Sequence, residues 1–343
     1  VITPRLFTRL ATRAMPDVGV TPAEEIHREN KWRLLRYLPR DDAPRHRTPV
    51  LLVPSLINRH YVLDLMPGKS FAEDMVARGH DVYIIDWGTP GPEDRHLEFD
   101  TICDDYLGRA IRKVARRSPE GRTHVLGYCL GGTLAAIHVA AHPEHVASLA
   151  VLAAPIDFHD DGLLSVWTRT RSFDPAALVG ALGNVPWQLL QASFHLLRPT
   201  AGLRKAVNLV ERAWDDEFLD GFFATERWGN DNVSFPGACF ERYIRELYRE
   251  NLLVQGRFRL SGVPVDLQRI TCPTLAVTFE DDHIVPWRGA AALLDHIGAP
   301  AKRRIHLRGG HVGAVVSRKA AVHLWPELSA FWIDHDRSRV RAA

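Results

Sequence analysis

Four short runs of apolar residues, Val50 to Val53, Val82 to Ile85, His124 to Leu126 and Leu149 to Leu152, recur along the first half of the chain with helical segments between them. Each run is continuous rather than alternating, which marks strands buried on both faces, as in a parallel sheet covered by helices. Helices are expected at 70–78, 100–118 and 131–141. Alternation of this kind specifies an open α/β sheet. It stops after Pro155, where residues 156–265 read as mostly helical and rich in large apolar groups, among them Phe158, Trp167, Trp187, Phe194, Trp214, Phe222, Trp228 and Phe235. The strand and helix style then returns with Thr274 to Phe279, a helix near 287–296, Arg304 to Leu307 and a last helix near 319–334. The expected organisation is a lead-in over 1–45, a core split between 46–155 and 266–335, a helical cap over 156–265 and a tail over 336–343.

Composition narrows the function classes. With 43 Lys+Arg against 41 Asp+Glu, the net charge of +2 argues against a nucleic-acid binder dependent on electrostatics. No apolar run approaches the roughly 20 residues of a membrane span. The four cysteines, Cys103, Cys129, Cys239 and Cys272, are scattered without a C-x-x-C pair, which favours a reducing compartment over a disulfide framework or cysteine-rich zinc site. The first fifteen residues place Arg5, Arg9 and Arg13 four apart beside Leu6, Phe7 and Leu10. This pattern reads as a plain amphipathic helix or a partner contact in preference to a targeting segment. The chain opens on Val1 rather than Met, which leaves its native start open.

The sharpest local feature is Gly127-Tyr128-Cys129-Leu130-Gly131, at the end of a strand and the start of a helix. It is the nucleophile-elbow pattern G-x-S-x-G with cysteine in place of serine. A nucleophile on so sharp a turn needs small flanking residues. The amide of Leu130, at the helix N-terminus, points where an oxyanion would form. By itself the motif is weak, since an inert buried cysteine reads the same way. An α/β-hydrolase arrangement also requires an acid and then a histidine, each after a later strand. Asp282 follows Thr274 to Phe279, and His311 follows Arg304 to Leu307 on a glycine-rich loop, so Cys129, Asp282 and His311 stand in the required order. Asp282 is preferred to Asp281 because Asp-His-Ile-Val-Pro then places the acid on the usual side of the apolar pair. His283 adjoins the acid and is expected to be a hydrogen-bonded loop residue, while His138, His142 and His145 are expected to face solvent. No metal-site spacing is present.

A thiolate attacking an acyl thioester exchanges one thioester for another at little cost, leaving an energised acyl group for an alcohol or water. That points to acyl-CoA substrates without choosing between transfer and hydrolysis.

Several further segments, together with the elbow, resemble the catalytic subunit of polyhydroxyalkanoate synthases. They are Pro54 to Leu65, with Ile57-Asn58, Tyr61 and Leu63-Asp64-Leu65; Asp81 to Gly88; Trp228-Gly229-Asn230-Asp231 through Pro236; Tyr248 to Leu252; Glu280 to Trp287; and, upstream, Thr21-Pro22 and Arg28 through Tyr37. The likeness covers about residues 18–335 and looks like the short, class III/IV-like form.

The resemblance implies an α/β-hydrolase fold with a mostly parallel sheet and a helical cap. The implied reaction is polymerisation of (R)-3-hydroxyacyl-CoA, 3-hydroxybutyryl-CoA above all, into polyester with release of CoA. Cys129 would be the acyl nucleophile and His311 its base, with Asp282 orienting His311 or acting on the substrate hydroxyl. Leu130 and the Leu56 region would supply an oxyanion hole. No cofactor is implied, since the CoA thioester is itself the substrate. A second synthase subunit, a homodimer and a cytoplasmic location at the surface of polyester granules are implied as well. The competing readings are a thioesterase or small-acceptor acyltransferase using the same three residues, and a non-catalytic granule subunit. The cap aromatics are expected mostly to form the cap's own core, although a cap over the elbow would also bury an acyl chain and limit water. Arg112, Lys113, Arg116 and Arg117 read as a solvated helix face before they read as a phosphate contact.

Overall fold

A computed structural model describes residues 4–337. Val1 and most of the tail expected at 336–343 lie outside the described residues, as do the side chains of Arg5, Leu6 and Phe7.

Six strands form where the sequence pattern placed them: β3 (Val50–Val53), β4 (Val82–Asp86), β5 (Thr123–Tyr128), β6 (Val146–Leu152), β9 (Thr274–Phe279) and β10 (Lys302–Leu307). They pair in parallel in the order β4-β3-β5-β6-β9-β10. The lead-in adds two strands not anticipated from the sequence, β1 (Ala23–Glu29) and β2 (Trp32–Tyr37), with β2 antiparallel to β4 and β1 antiparallel to β2. Their two-residue turn places Asn30 at φ 50°, a left-handed conformation that asparagine tolerates well. A small hairpin, β7 (Arg259–Leu260) with β8 (Val263–Pro264), lies apart from the main sheet.

The central strands are buried on both faces, and their residues alternate between two cores as period two requires. Leu51, Val53, Tyr83, Ile85 and Val125 pack on one face with α3 (Leu107–Ala115) and α4 (Leu130–Ala141). Val50, Leu52, Val82, Ile84 and Leu126 pack on the other with α2 (Phe71–Ala77) and α15 (Trp325–Arg337), whose Trp332 is fully buried. The helix expected over 100–118 begins instead as a π-helical stretch, Thr101–Tyr106, before α3.

Every residue of α4 is buried. A helix apolar on all sides has no solvent face, and this corrects the reading of His138. Its ring lies 2 % exposed against Gly108, and burial lowers its pKa to about 4, so it stays neutral. His145 is exposed as expected, and His142 is partly so, 3.0 Å from Asp104.

Between β6 and β9 the chain forms α5 (Leu163–Arg169), α6 (Pro175–Leu182), α7 (Trp187–Leu196), α8 (Ala201–Glu211), α9 (Asp216–Asn230), α10 (Gly237–Arg242) and a π-helical stretch, Tyr243–Arg249. Prolines punctuate this region at helix starts. Pro175 opens α6 behind an Asp174 cap, and Pro186 and Pro236 precede α7 and α10. The N-terminal helix α1 (Pro4–Thr12) docks on α9: Arg9 lies 2.7 Å from Asp216, and Arg13 lies 2.6 Å from Asp220. Among the described residues no helix is long and apolar enough to cross a membrane.

Candidate active site

The turn from β5 into α4 holds Cys129 at φ 54° and ψ −131°, a conformation that L side chains seldom adopt. The strand and helix cross so closely that a Cβ at Gly127 would lie 2.3 Å from Gly132 Cα, and one at Gly131 would lie 2.1 Å from the Val53 carbonyl oxygen. Only glycine lets the elbow close onto β3. The Cys129 amide donates to the Leu152 carbonyl at 2.9 Å, which ties the strained residue to the end of β6.

The chain after β9 brings Asp282 to the same end of the sheet. Its Oδ1 accepts the amides of Ile284 and Val285, each at 2.9 Å, and its Oδ2 lies 2.7 Å from His311 Nδ1. The Asp282 side chain is 1 % exposed. Asp281 faces solvent, so geometry separates the two acids. His283 is exposed and, among the described residues, makes no side-chain hydrogen bond, which corrects the expected loop contact.

His311 follows β10 and packs against Tyr128, with ring centroids 5.3 Å apart. Burial disfavours the imidazolium, but Asp282 on one side and Cys129 on the other outweigh it, and the pKa lies well above the ordinary value. Cys129 stands within hydrogen-bonding reach of the ring. A thiol, an imidazole and a carboxylate are thus brought together, an arrangement that can activate a thiol for acyl transfer.

Leu130 occupies the first position of α4, where helical amides lack intrahelical partners. The Leu56 side chain instead faces a small recess with Trp32 and Trp87, and its neighbour Ile57 reaches the cavity over Cys129. That cavity has a volume of about 330 Å³ and is lined almost wholly by apolar groups of the inserted helices, including Trp167, Phe173, Phe194 and Phe235. Several aromatics expected to form a separate cap core therefore line the same cavity as Cys129. Phe158 and Trp228 are buried in packing, and Trp214 is 63 % exposed.

The polar motif residues hold the inserted helices to the core. Asp231, at the end of α9, accepts Tyr61 Oη at 2.7 Å and Arg59 Nε at 3.0 Å, while Trp228 Nε1 donates to the Arg59 carbonyl at 3.0 Å. Asn251 accepts the Phe158 amide at 3.1 Å and donates to Asp157 at 2.8 Å. Two segments distant in sequence and separately alike to one family thus meet as one joint.

Comparison with known proteins bears on the family and the fold. The family model described as "alpha/beta hydrolase fold" matches residues 48–315, and the "Poly-beta-hydroxybutyrate polymerase (PhaC) N-terminus" model matches residues 11–75. The poly(3-hydroxyalkanoate) polymerase subunit PhaC of Allochromatium vinosum is 33% identical over 321 residues, covering 93% of this chain and 90% of that protein. This chain belongs to the PhaC family. The PhaC subunit of Haloferax mediterranei is likewise 33% identical over 332 residues, covering 96% of this chain and 67% of its own.

The chain has the α/β-hydrolase fold with a mostly parallel sheet. Its fold is shared with a soluble variant of the monoglyceride lipase of Saccharomyces cerevisiae (TM-score 0.58, 12% identity, 94% of this chain and 97% of that one). MenH from S. aureus is similar in fold too (TM-score 0.57, 14% identity, 90% of this chain and 100% of that one).

Asp231 and Tyr248 stood out in the sequence only as members of family-like segments, without the joint or the cavity they serve, and Tyr243 was not singled out. The signal for the joint was the co-occurrence of Asn58-Arg59 with Asn230-Asp231.

Proposed function

We propose that this chain is an acyltransferase that polymerises (R)-3-hydroxyacyl-CoA, with 3-hydroxybutyryl-CoA the expected substrate, through an acyl group carried on Cys129. The observation that carries the reading is the contiguous Cys129, His311 and Asp282 set opening into an apolar cavity on a chain of the PhaC family.

In the first step the Cys129 sulfur, its proton held on His311, bonds to the thioester carbonyl carbon. The oxyanion collapses, the bond to CoA sulfur breaks, and CoA leaves with the proton held by His311. In the second step the hydroxyl of another hydroxyacyl group gives its proton to His311 as its oxygen bonds to the acyl carbon. The Cys129 sulfur leaves, and the lengthened acyl chain can be loaded again. The Leu130 amide and one from the Leu56–Ile57 segment would receive the oxyanion in both steps.

Asp282 is read as the residue that orients His311, because its oxygens are already engaged by two amides and the imidazole. The apolar cavity favours transfer to a hydroxyl by limiting water at the acyl-enzyme. The relatives are named as polymerase subunits, which supports a reading in which this chain works with a second subunit at the surface of its insoluble product.

The test is incubation with 3-hydroxybutyryl-CoA, alone and with a candidate partner subunit, following thiol release and turbidity together. CoA release with insoluble polyester is expected. Free 3-hydroxybutyrate as the sole product would establish a thioesterase on the same three residues.

A further inference from the structure

The cavity beside Cys129 carries few polar atoms, and they are not equivalent. Thr168 Oγ1 donates to the Leu164 carbonyl at 2.8 Å and Ser193 Oγ to the Leu189 carbonyl at 2.9 Å. Both hydroxyls have turned back onto their own helices, as Ser and Thr commonly do. Tyr243 and Tyr248, which also line the cavity, have not.

These two tyrosines lie five residues apart in the π-helical stretch Tyr243–Arg249. In an α-helix that spacing would turn them about 140° apart around the axis. Hydrogen bonding from i to i+5 brings them towards one face. Their rings meet nearly at right angles, 5.3 Å between centroids, and Phe158 packs edge-on against both. Each is less than one-tenth exposed. Both lie near enough to Cys129 to feel its charge, while burial keeps both protonated far above the ordinary range.

Two phenols supply two O–H donors, and among the described residues neither makes a hydrogen bond to the backbone or to a side chain of another element. A buried phenol ordinarily finds a partner. A ligand hydroxyl satisfies such a pair from both sides, because it accepts the spare proton and donates its own. A plain acyl chain does neither.

We propose that Tyr243 and Tyr248 form the oxygen-binding subsite of this cavity, holding the 3-hydroxyl of a hydroxyacyl group beside Cys129. The inference rests on the acyltransferase reading and adds the group that distinguishes a hydroxyacyl thioester from a plain one. It also gives the π-helical winding a task, since an α-helix through the same residues would separate the two phenols.

The test compares CoA release from 3-hydroxybutyryl-CoA and from butyryl-CoA, which can acylate Cys129 but lacks the hydroxyl. The parent, Tyr243→Phe and Tyr248→Phe are measured as full chains. Each variant is expected to lose about tenfold or more in kcat/KM for 3-hydroxybutyryl-CoA, the scale of one buried hydrogen bond. The single-turnover burst with butyryl-CoA, read as the mass of acylated Cys129, is expected to stay within about twofold. Equal losses on both substrates would mean a structural role and overturn the proposal, as would no loss on either.

Should a variant not fold, binding to Cys129→Ala decides instead. 3-Hydroxybutyryl-CoA is expected to bind tighter than butyryl-CoA, and parity rejects the subsite. A parent that releases CoA from neither substrate overturns the acyltransferase reading and the subsite with it. A parent that polymerises beside equally active Phe variants overturns the subsite alone.

Discussion

His311 Nδ1 lies 2.7 Å from Asp282 Oδ2, and the same carboxylate is pinned through Oδ1 by the amides of Ile284 and Val285. The acid is a fixed post, so the imidazole it holds presents its other nitrogen towards Cys129. Asp282→Asn keeps the size of the group, but an amide can present an N–H where Nδ1–H needs an acceptor. Loss of about 10²- to 10⁴-fold in kcat is expected, with KM for the thioester within a few-fold of the parent. Steady-state CoA release checks both parameters. A kcat within threefold of the parent would remove Asp282 from the proposed role.

Strain at the elbow has a separate signature. Cys129 holds φ 54° and ψ −131°, which glycine adopts freely and alanine does not. Cys129→Gly and Cys129→Ala should both abolish acyl transfer, yet the glycine variant should be the more stable of the two by roughly 1 kcal/mol. Urea unfolding of the pair measures this difference. The reverse order would show that the turn is not strained.

The joint at Asp231 predicts a local effect. Asp231→Ala leaves Tyr61 Oη and Arg59 Nε without their acceptor, at a cost of about 1–3 kcal/mol. Amide hydrogen exchange should quicken along α9 and the segment after β3, while β5 stays protected. Uniform acceleration across the sheet would instead mean that the joint supports the whole fold.

Acid stability follows from histidines remote from the chemistry. Burial lowers the pKa of His80 to about 3 and that of His138 to about 4, whereas each titrates near 6.5 once unfolded. The unfolded chain therefore binds more protons over that interval, and stability falls as pH drops from about 6.5 towards 3–4. At pH 5 each histidine costs roughly 2 kcal/mol by this linkage. His311 acts in the opposite sense, because its raised pKa contributes stability below about 6.5 that is lost as pH rises through the raised value. Urea midpoints across pH 4–8 should fall on the acid side, and His80→Phe should flatten part of that slope. An unchanged slope would place the acid sensitivity elsewhere.

What the sequence disclosed and what it hid divide along physical lines. Strands buried on both faces read as unbroken apolar runs, so β3, β4, β5 and β9 were plain from composition alone. The antiparallel strands β1 and β2 were not. Their charged positions, such as Glu24, Glu25 and Arg28, mask the alternation of Trp32 and Leu34 towards one core, with Tyr37 turned to the other. His138 was misjudged because a polar residue suggests an outer face, whereas Leu130 to Ala141 has no face poor in apolar groups. The elbow was legible because two backbones approach too closely for any side chain at Gly127 or Gly131. Which cap aromatics meet Cys129 depends on how six helices settle on the core, and no local pattern distinguishes Phe194 from Trp214.

All of α5 to α10 lies between two strands that are neighbours in the sheet, β6 and β9, paired from Leu149 with Thr274 to Leu152 with Val277. Parallel neighbours always need a crossover, and a dozen or so residues can supply one. Here the crossover has grown into the chamber roof. Because closure entropy rises only with the logarithm of loop length, lengthening or recutting that roof costs little. The acyl chamber can therefore diversify in width and depth among relatives without renegotiating a single strand pairing.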